Sequence, residues 1–185
     1  EVRQQVASFA AALRAWGVRP GDRVVGYLPN IPEAIVAMLA SASIGAVWSS
    51  CAPDFGGRSV LDRFTQIEPK VLIAVDGYRY GGKAFDRLAI VAELQASLPT
   101  LQRTVLVPYL DGLQASAEHS GALRNTTRWD EIPAAPAASL VFEQVPFDHP
   151  LWVLYSSGTT GLPKPIVHGH GGMLLEHLKS IHLHN

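Results

Sequence analysis

The segment Leu151–Gly169, LWVLYSSGTTGLPKPIVHG, is the most informative stretch of the chain. Its first five residues are apolar and predict a strand, and Ile166 to His168 is a second, shorter apolar run. The loop between them contains four hydroxyl residues and two glycines: Ser156, Ser157, Gly158, Thr159, Thr160 and Gly161. A loop this polar does not serve as core filler, so the segment predicts a binding loop between two strands.

The residue types of this loop suit a phosphate group. Glycine permits positive φ and brings backbone N–H groups close to an anion. Serine and threonine hydroxyls donate hydrogen bonds to phosphate oxygens. Lys164, three residues after the second glycine, supplies a positive charge. We therefore predict that the loop and Lys164 bind phosphate, while composition alone leaves a flexible Ser/Gly hairpin loop as the alternative.

Other glycine-containing motifs do not match the spacing. The Walker loop has four residues between its glycines and a lysine directly after the second. Here two residues separate Gly158 from Gly161, and Lys164 does not follow directly. The nucleophile elbow requires glycines two residues on either side of a serine, which neither Ser156 nor Ser157 has. The three spaced glycines of the dinucleotide fingerprint are also absent from the sequence.

The rest of the chain alternates between two kinds of apolar pattern. Helical periodicity predicts helices over Val2–Trp16, Pro32–Ser43, Ser59–Ile67 and Phe85–Leu98. Short apolar runs predict strands over Arg23–Leu28, Ala46–Ser50, Val71–Val75 and Thr104–Val107. This alternation predicts an α/β fold, a mainly parallel sheet flanked by helices. Gly112 to Ala138 lacks a clear period and predicts a surface excursion, with an extended linker at Pro133–Pro136.

Composition narrows the class of protein. The 185 residues are 48% hydrophobic and 17% charged, which is typical of a globular chain and excludes a disordered one. A net charge of −1 argues against nucleic acid or an anionic membrane as a partner. The single cysteine, Cys51, cannot form an internal disulfide, and no apolar run is long enough to span a bilayer. We therefore predict a cytoplasmic protein whose fold does not depend on an oxidising compartment.

Several further residues have a functional and a structural interpretation. Five histidines lie near the C-terminus: His168, His170, His177, His182 and His184. They suggest a zinc site, but no cysteine accompanies them and no His-Glu-x-x-His pattern is present, so we favour no metal site. His168 is close in sequence to the loop and is a candidate to line its site. Asp54 is a candidate ligand contact, although a Pro-Asp turn before a helix is the favoured interpretation. Cys51 is expected to be packed and unreactive.

The ordered string Tyr155–Lys164, YSSGTTGLPK, resembles the signature loop of the adenylate-forming enzymes, which include acyl-CoA synthetases, luciferases and peptide-synthetase adenylation domains. Two upstream segments also resemble the N-terminal part of that family, namely Gly17–Val24 (GVRPGDRV) and Leu28–Ala34 (LPNIPEA). The match departs from the family at Pro165, where a small residue is usual. A proline there has no backbone donor and must lie at a strand start or a sheet edge.

The resemblance implies a function. It identifies residues 1–185 as part of the large N-terminal AMP-binding domain, without the C-terminal domain, and therefore as inactive alone. The family's loop holds the β- and γ-phosphates of ATP, so the resemblance implies ATP, Mg²⁺ and coenzyme A, with Lys164 as a catalytic residue. Trp48–Gly56 and His168–Lys179 are most similar to the branch that ligates acetoacetate to coenzyme A. Acetate or propionate as the acid, a non-catalytic nucleotide-binding module, and an interaction protein remain alternatives.

Overall fold

The computed structural model describes residues 1–110, 123–133, 139–157 and 161–183. The helices are α1 (Val2–Ala15), α2 (Pro32–Ser43), α3 (Gly57–Phe64), α4 (Leu88–Ser97) and α5 (His170–Leu183). The strands are β1 (Arg23–Tyr27), β2 (Val47–Cys51), β3 (Val71–Val75), β4 (Gly77–Tyr80), β5 (Lys83–Asp86), β6 (Arg103–Val107), β7 (Thr126–Arg128), β8 (Pro150–Ser156) and β9 (Lys164–Gly169).

Seven of the described strands form one sheet in the order β7-β6-β3-β1-β2-β8-β9. All neighbours pair in parallel except β8 and β9, which are antiparallel. The other two strands, β4 and β5, form a separate antiparallel hairpin. The prediction of a mainly parallel sheet flanked by helices is therefore confirmed. None of the described helices has the length and apolar character needed to cross a membrane.

Helices cover the central strands on both faces. All five residues of β3, VLIAV, are buried, as expected for a parallel strand enclosed on two sides. Because side chains alternate along a strand, Val24 of β1 joins the apolar cluster that includes α1 and α2, whereas Val25 joins the cluster that includes α3 and α4. The sheet thus has a separate hydrophobic core on each side.

The predicted helix over Phe85–Leu98 is wrong at its start. Phe85 lies in β5, where it pairs with Tyr78 of β4, and the two rings stack with centroids 5.1 Å apart. Gly81 and Gly82, at φ 55° and 76°, make the turn between these strands. Helix α4 begins only at Leu88, so cross-strand aromatic pairing prevails over the helical pattern at this point.

The predicted surface excursion over Gly112–Ala138 is also partly wrong. Thr126–Arg128 forms β7, which pairs in parallel with β6 and extends the main sheet. The turn that follows places Trp129 against Phe9 of α1, with ring centroids 4.7 Å apart. Part of the excursion is therefore integral to the fold. Residues 111–122 and 134–138, including most of the predicted linker, lie outside the described residues.

Strand β9 is the outermost strand beside β8. Pro165 lies on it, opposite Tyr155, where a missing N–H donor is tolerated. The expectation that Pro165 occupies a strand start or edge is confirmed. Apolar side chains of β9 and α5 remain exposed, among them Val167 at 58% and Leu175 at 59%.

Candidate phosphate-binding site

The predicted phosphate loop lies at the carboxyl edge of the sheet. It follows β8, which runs parallel to β2 and ends at the same edge as Cys51 and Tyr27, the last residues of β2 and β1. The segments after β1 and β2 lead to α2 and α3, which pack on opposite faces of the sheet. Ligands of open α/β sheets bind at this edge, where successive connections diverge.

The β8–β9 pairing brings the two ends of the loop together. Ser156, the last residue of β8, pairs with Lys164, the first residue of β9. Ser157 is exposed, and Gly161 has φ 121°, a conformation that favours glycine. The predicted site residues Gly158, Thr159 and Thr160 lie outside the described residues. The described part of the loop thus presents hydroxyl groups on one side and a lysine on the other.

Lys164 is exposed. No carboxylate of the described ranges forms an ion pair with its ammonium group. Its positive charge is therefore uncompensated beside Ser156. That arrangement suits an anionic ligand, because the lysine loses no ion pair when the ligand binds.

Helix α3 and the turn after it contact both sides of the loop. The Tyr155 hydroxyl donates a hydrogen bond to the Arg63 carbonyl at 2.8 Å, and Gln66 Nε2 donates to the Pro163 carbonyl at 2.8 Å. The Arg63 guanidinium lies 4.9 Å from the centre of the Phe55 ring and 5.8 Å from that of Tyr155. Burial raises the pKa of Tyr155 from 10.0 to about 12, so its hydroxyl remains a hydrogen-bond donor at alkaline as well as at neutral pH.

The side chains of Tyr27 and Arg87 hold the loop between β2 and α3 by hydrogen bonds. The buried Tyr27 hydroxyl lies 2.9 Å from the Pro53 carbonyl and 2.7 Å from that of Phe55, and Arg87 Nε donates to Pro53 O at 2.7 Å. Asp54 is exposed in the turn that this loop makes before α3. The favoured interpretation of Asp54, a Pro-Asp turn feeding a helix, is confirmed.

Sequence reasoning missed the side chains that hold these loops. Tyr27 ends an apolar run whose alternation indicates burial but not a hydrogen bond. Gln66 and Arg87 lie in segments without a recognisable motif, and their partners are 97 and 34 residues away along the chain. Only the packing of α3 and α4 against the sheet reveals their contacts.

Cys51 and His168 both lie on strands of the sheet, and their positions bear on the predictions made for them. Cys51 is buried in the core beside α3, which confirms that it is packed, and burial raises the pKa of its thiol to about 11. His168 pairs with Trp152, four residues along β9 from Lys164, or about 13 Å along an extended strand. The role of His168 in lining the site stays a prediction. Over the described ranges, no three His, Cys, Asp or Glu side chains converge as metal ligands.

Comparison with known proteins shows the family to which the chain belongs. The family model described as "AMP-binding enzyme" matches residues 1–184, and the chain belongs to this family. Among its relatives, it is 51% identical to the acetoacetyl-CoA synthetase of Mus musculus over 188 residues, and 50% identical to the acetoacetyl-coenzyme A synthetase of Rhizobium meliloti (strain 1021) over 189 residues. Each alignment covers 100% of this chain and 28% of the relative.

A solved structure shows the same fold. The chain superimposes on the acetoacetyl-CoA synthetase from Streptomyces lividans with a TM-score of 0.90 and 62% sequence identity. The match covers 99% of this chain and 27% of that one. The chain thus spans little more than a quarter of the length of the relatives that it matches.

Proposed function

We propose that this chain is part of an ATP-dependent acid–thiol ligase that forms acetoacetyl-CoA from acetoacetate, ATP and coenzyme A. The observation that carries the proposal is the β8–β9 turn at the carboxyl edge of the sheet, with Ser156 opposite an exposed Lys164. It lies in a fold that matches a solved acetoacetyl-CoA synthetase at 62% identity. The partners that we propose are small molecules, and the proposed location is the cytoplasm.

The proposed reaction has two steps. A carboxylate oxygen of acetoacetate attacks the α-phosphorus of ATP, and the bond from that phosphorus to the bridging oxygen breaks, releasing pyrophosphate. The thiol of coenzyme A then attacks the acyl carbon, loses its proton, and displaces AMP with the electron pair of the acyl–oxygen bond. The loop residues Ser156 to Gly161 hold the β- and γ-phosphates, and Lys164 stabilises the charge that departs with pyrophosphate. Catalysis here is positioning and charge stabilisation.

The proposed Mg²⁺ would neutralise part of the negative charge of the ATP phosphates. The described residues do not themselves form a site for it, because no three carboxylate, imidazole or thiol groups converge among them. We therefore assign no step to a metal ligand of this chain.

The length of the relatives supports a partial domain. We propose that residues 1–185 belong to a larger N-terminal AMP-binding domain and that contacts to adenine, ribose and the thiol come from further polypeptide. Exposed apolar residues on β9 and α5, such as Val167 and Leu175, support this proposal, because side chains of this kind are usually covered by packing.

An exchange assay tests the function. The full-length protein that contains this chain is incubated with ATP, labelled pyrophosphate and, in turn, acetoacetate, acetate and propionate. We expect label to enter ATP fastest with acetoacetate, and AMP to be released when coenzyme A is added. Faster exchange with acetate or propionate would assign another acid. Nucleotide binding without exchange for any acid would support the non-catalytic module instead.

The isolated 185 residues provide the second half of the test. We expect them to bind ATP weakly and to form no acyl-CoA, since the residues that we assign to the nucleotide would contact only its phosphates. Calorimetry should show that binding weakens with added salt, because exposed charges are screened over about 8 Å at physiological ionic strength. Synthesis of acyl-CoA by the 185 residues alone would contradict the partial-domain proposal.

A further inference from the structure

We propose that α3 and the turn after it clamp the phosphate loop at both ends, and that Tyr155 and Gln66 are the positioning residues of this clamp. The inference rests on the proposed function of the loop and assigns roles to side chains that do not themselves contact phosphate. The inference is based on two hydrogen bonds that join the end of α3 and the turn after it to the two described sides of the loop.

The first bond holds the beginning of the loop. Tyr155 immediately precedes Ser156, and its hydroxyl donates to the Arg63 carbonyl at 2.8 Å. Arg63 lies in the last turn of α3, and its carbonyl also accepts the backbone N–H of Gln66 at 3.2 Å. Tyr155 adds a second hydrogen bond to this carbonyl. The Arg63 guanidinium lies over the rings of Phe55 and Tyr155, so the helix end and the end of β8 are packed as well as bonded.

The second bond holds the end of the loop. Gln66 Nε2 donates to the Pro163 carbonyl at 2.8 Å, directly before Lys164, and to the Asp62 carbonyl of α3 at 2.6 Å. A primary amide nitrogen has two hydrogens, and here each has an acceptor. The amide therefore bridges the end of α3 to the residue that precedes the proposed phosphate lysine.

These two bonds act on the same feature. The register of β8 and β9 places Ser156 opposite Lys164, and the clamp fixes the residue just before each of them. A loop held in this way loses less conformational freedom when it binds phosphate. Release of either end should therefore weaken nucleotide binding equally in the ground state and the transition state. Such a change raises the KM for ATP and leaves kcat unaltered.

The test uses the full-length protein with Gln66→Met, which keeps the shape of the side chain and removes its donor, and with Tyr155→Phe. The matched control is Gln102→Met, because Gln102 is also exposed and precedes β6, four strands away from β8 in the sheet. We expect each clamp variant to raise the KM for ATP in acetoacetate-dependent pyrophosphate exchange by roughly two- to tenfold, the effect of one hydrogen bond. The control should match the wild type.

Two readouts distinguish positioning from a general loss of structure. Partial unfolding lowers the active fraction, so it reduces kcat and leaves KM unchanged. Hydrogen exchange of the peptide 156–164, measured without nucleotide, should be faster in both clamp variants than in the control. A wild-type KM for ATP, together with wild-type hydrogen exchange of the peptide 156–164, in both clamp variants would overturn the inference. Faster hydrogen exchange in a protein that activates no acid would support the clamp and refute the proposed function.

Discussion

Replacing Lys164 with alanine in the full-length protein isolates the contribution of one charge to nucleotide binding. The Lys164 side chain is exposed, and no carboxylate of the described part of the chain pairs with it. Its removal therefore leaves no buried partner without a hydrogen bond. We expect the free energy of unfolding to change by no more than about 0.5 kcal/mol, as is usual for a surface substitution.

The effect on ATP should be much larger. A hydrogen bond between a charged donor and a phosphate oxygen contributes about 1.5–3 kcal/mol, and about 1.4 kcal/mol corresponds to a tenfold change in affinity. The kcat/KM for ATP should thus fall about 10- to 150-fold. Because Lys164 is exposed, solvent and salt screen its charge, and the lower part of that range is expected at physiological ionic strength.

Acetoacetate-dependent exchange of labelled pyrophosphate into ATP measures this loss, since it reports the first chemical step without coenzyme A. Lys179→Ala is the matched control, because Lys179 is an exposed lysine on α5 that pairs with Glu176. The control should keep wild-type exchange, and Lys164→Arg should recover part of the loss by restoring the charge. Wild-type exchange by a folded Lys164→Ala variant would remove Lys164 from the site.

Two further predictions concern the start of α5. A Cβ at Gly171 would lie 2.2–2.4 Å from three atoms of the Phe147 ring, whereas one at Gly172 meets nothing within 4 Å. Gly171→Ala should cost about 1–3 kcal/mol of stability and Gly172→Ala should gain about 0.4–1 kcal/mol, so equal melting temperatures would contradict the packing. Burial, together with nearby His149, lowers the pKa of His170 from 6.5. The neutral imidazole is favoured in the folded state, so stability should be highest above about pH 6.5 and fall as the pH decreases below it. Thermal unfolding between pH 5 and 8 should show this dependence and show less of it in His170→Asn; identical profiles would refute it.

The elements that the sequence predicted well are those whose signal is local. The all-apolar run Val71–Val75 is β3 with the predicted bounds, and Pro32 begins α2 where its missing N–H costs nothing. The turn at Asp54 follows from the residue types of its own segment. The loop string from Tyr155 to Lys164 was recognisable because its order is specific, and the role of Lys164 in it stays a prediction.

The features that required the tertiary structure depend on contacts between distant residues. The three residues of β7 are too few to show a strand period, so that strand becomes evident only where it pairs with β6. Phe85 leaves the helical pattern where it stacks on Tyr78. The bond from Gln66 to Pro163 joins residues 97 apart in sequence. A short motif specifies its own backbone and chemistry, but the neighbours that hold it in place are brought to it only when the sheet and its helices pack.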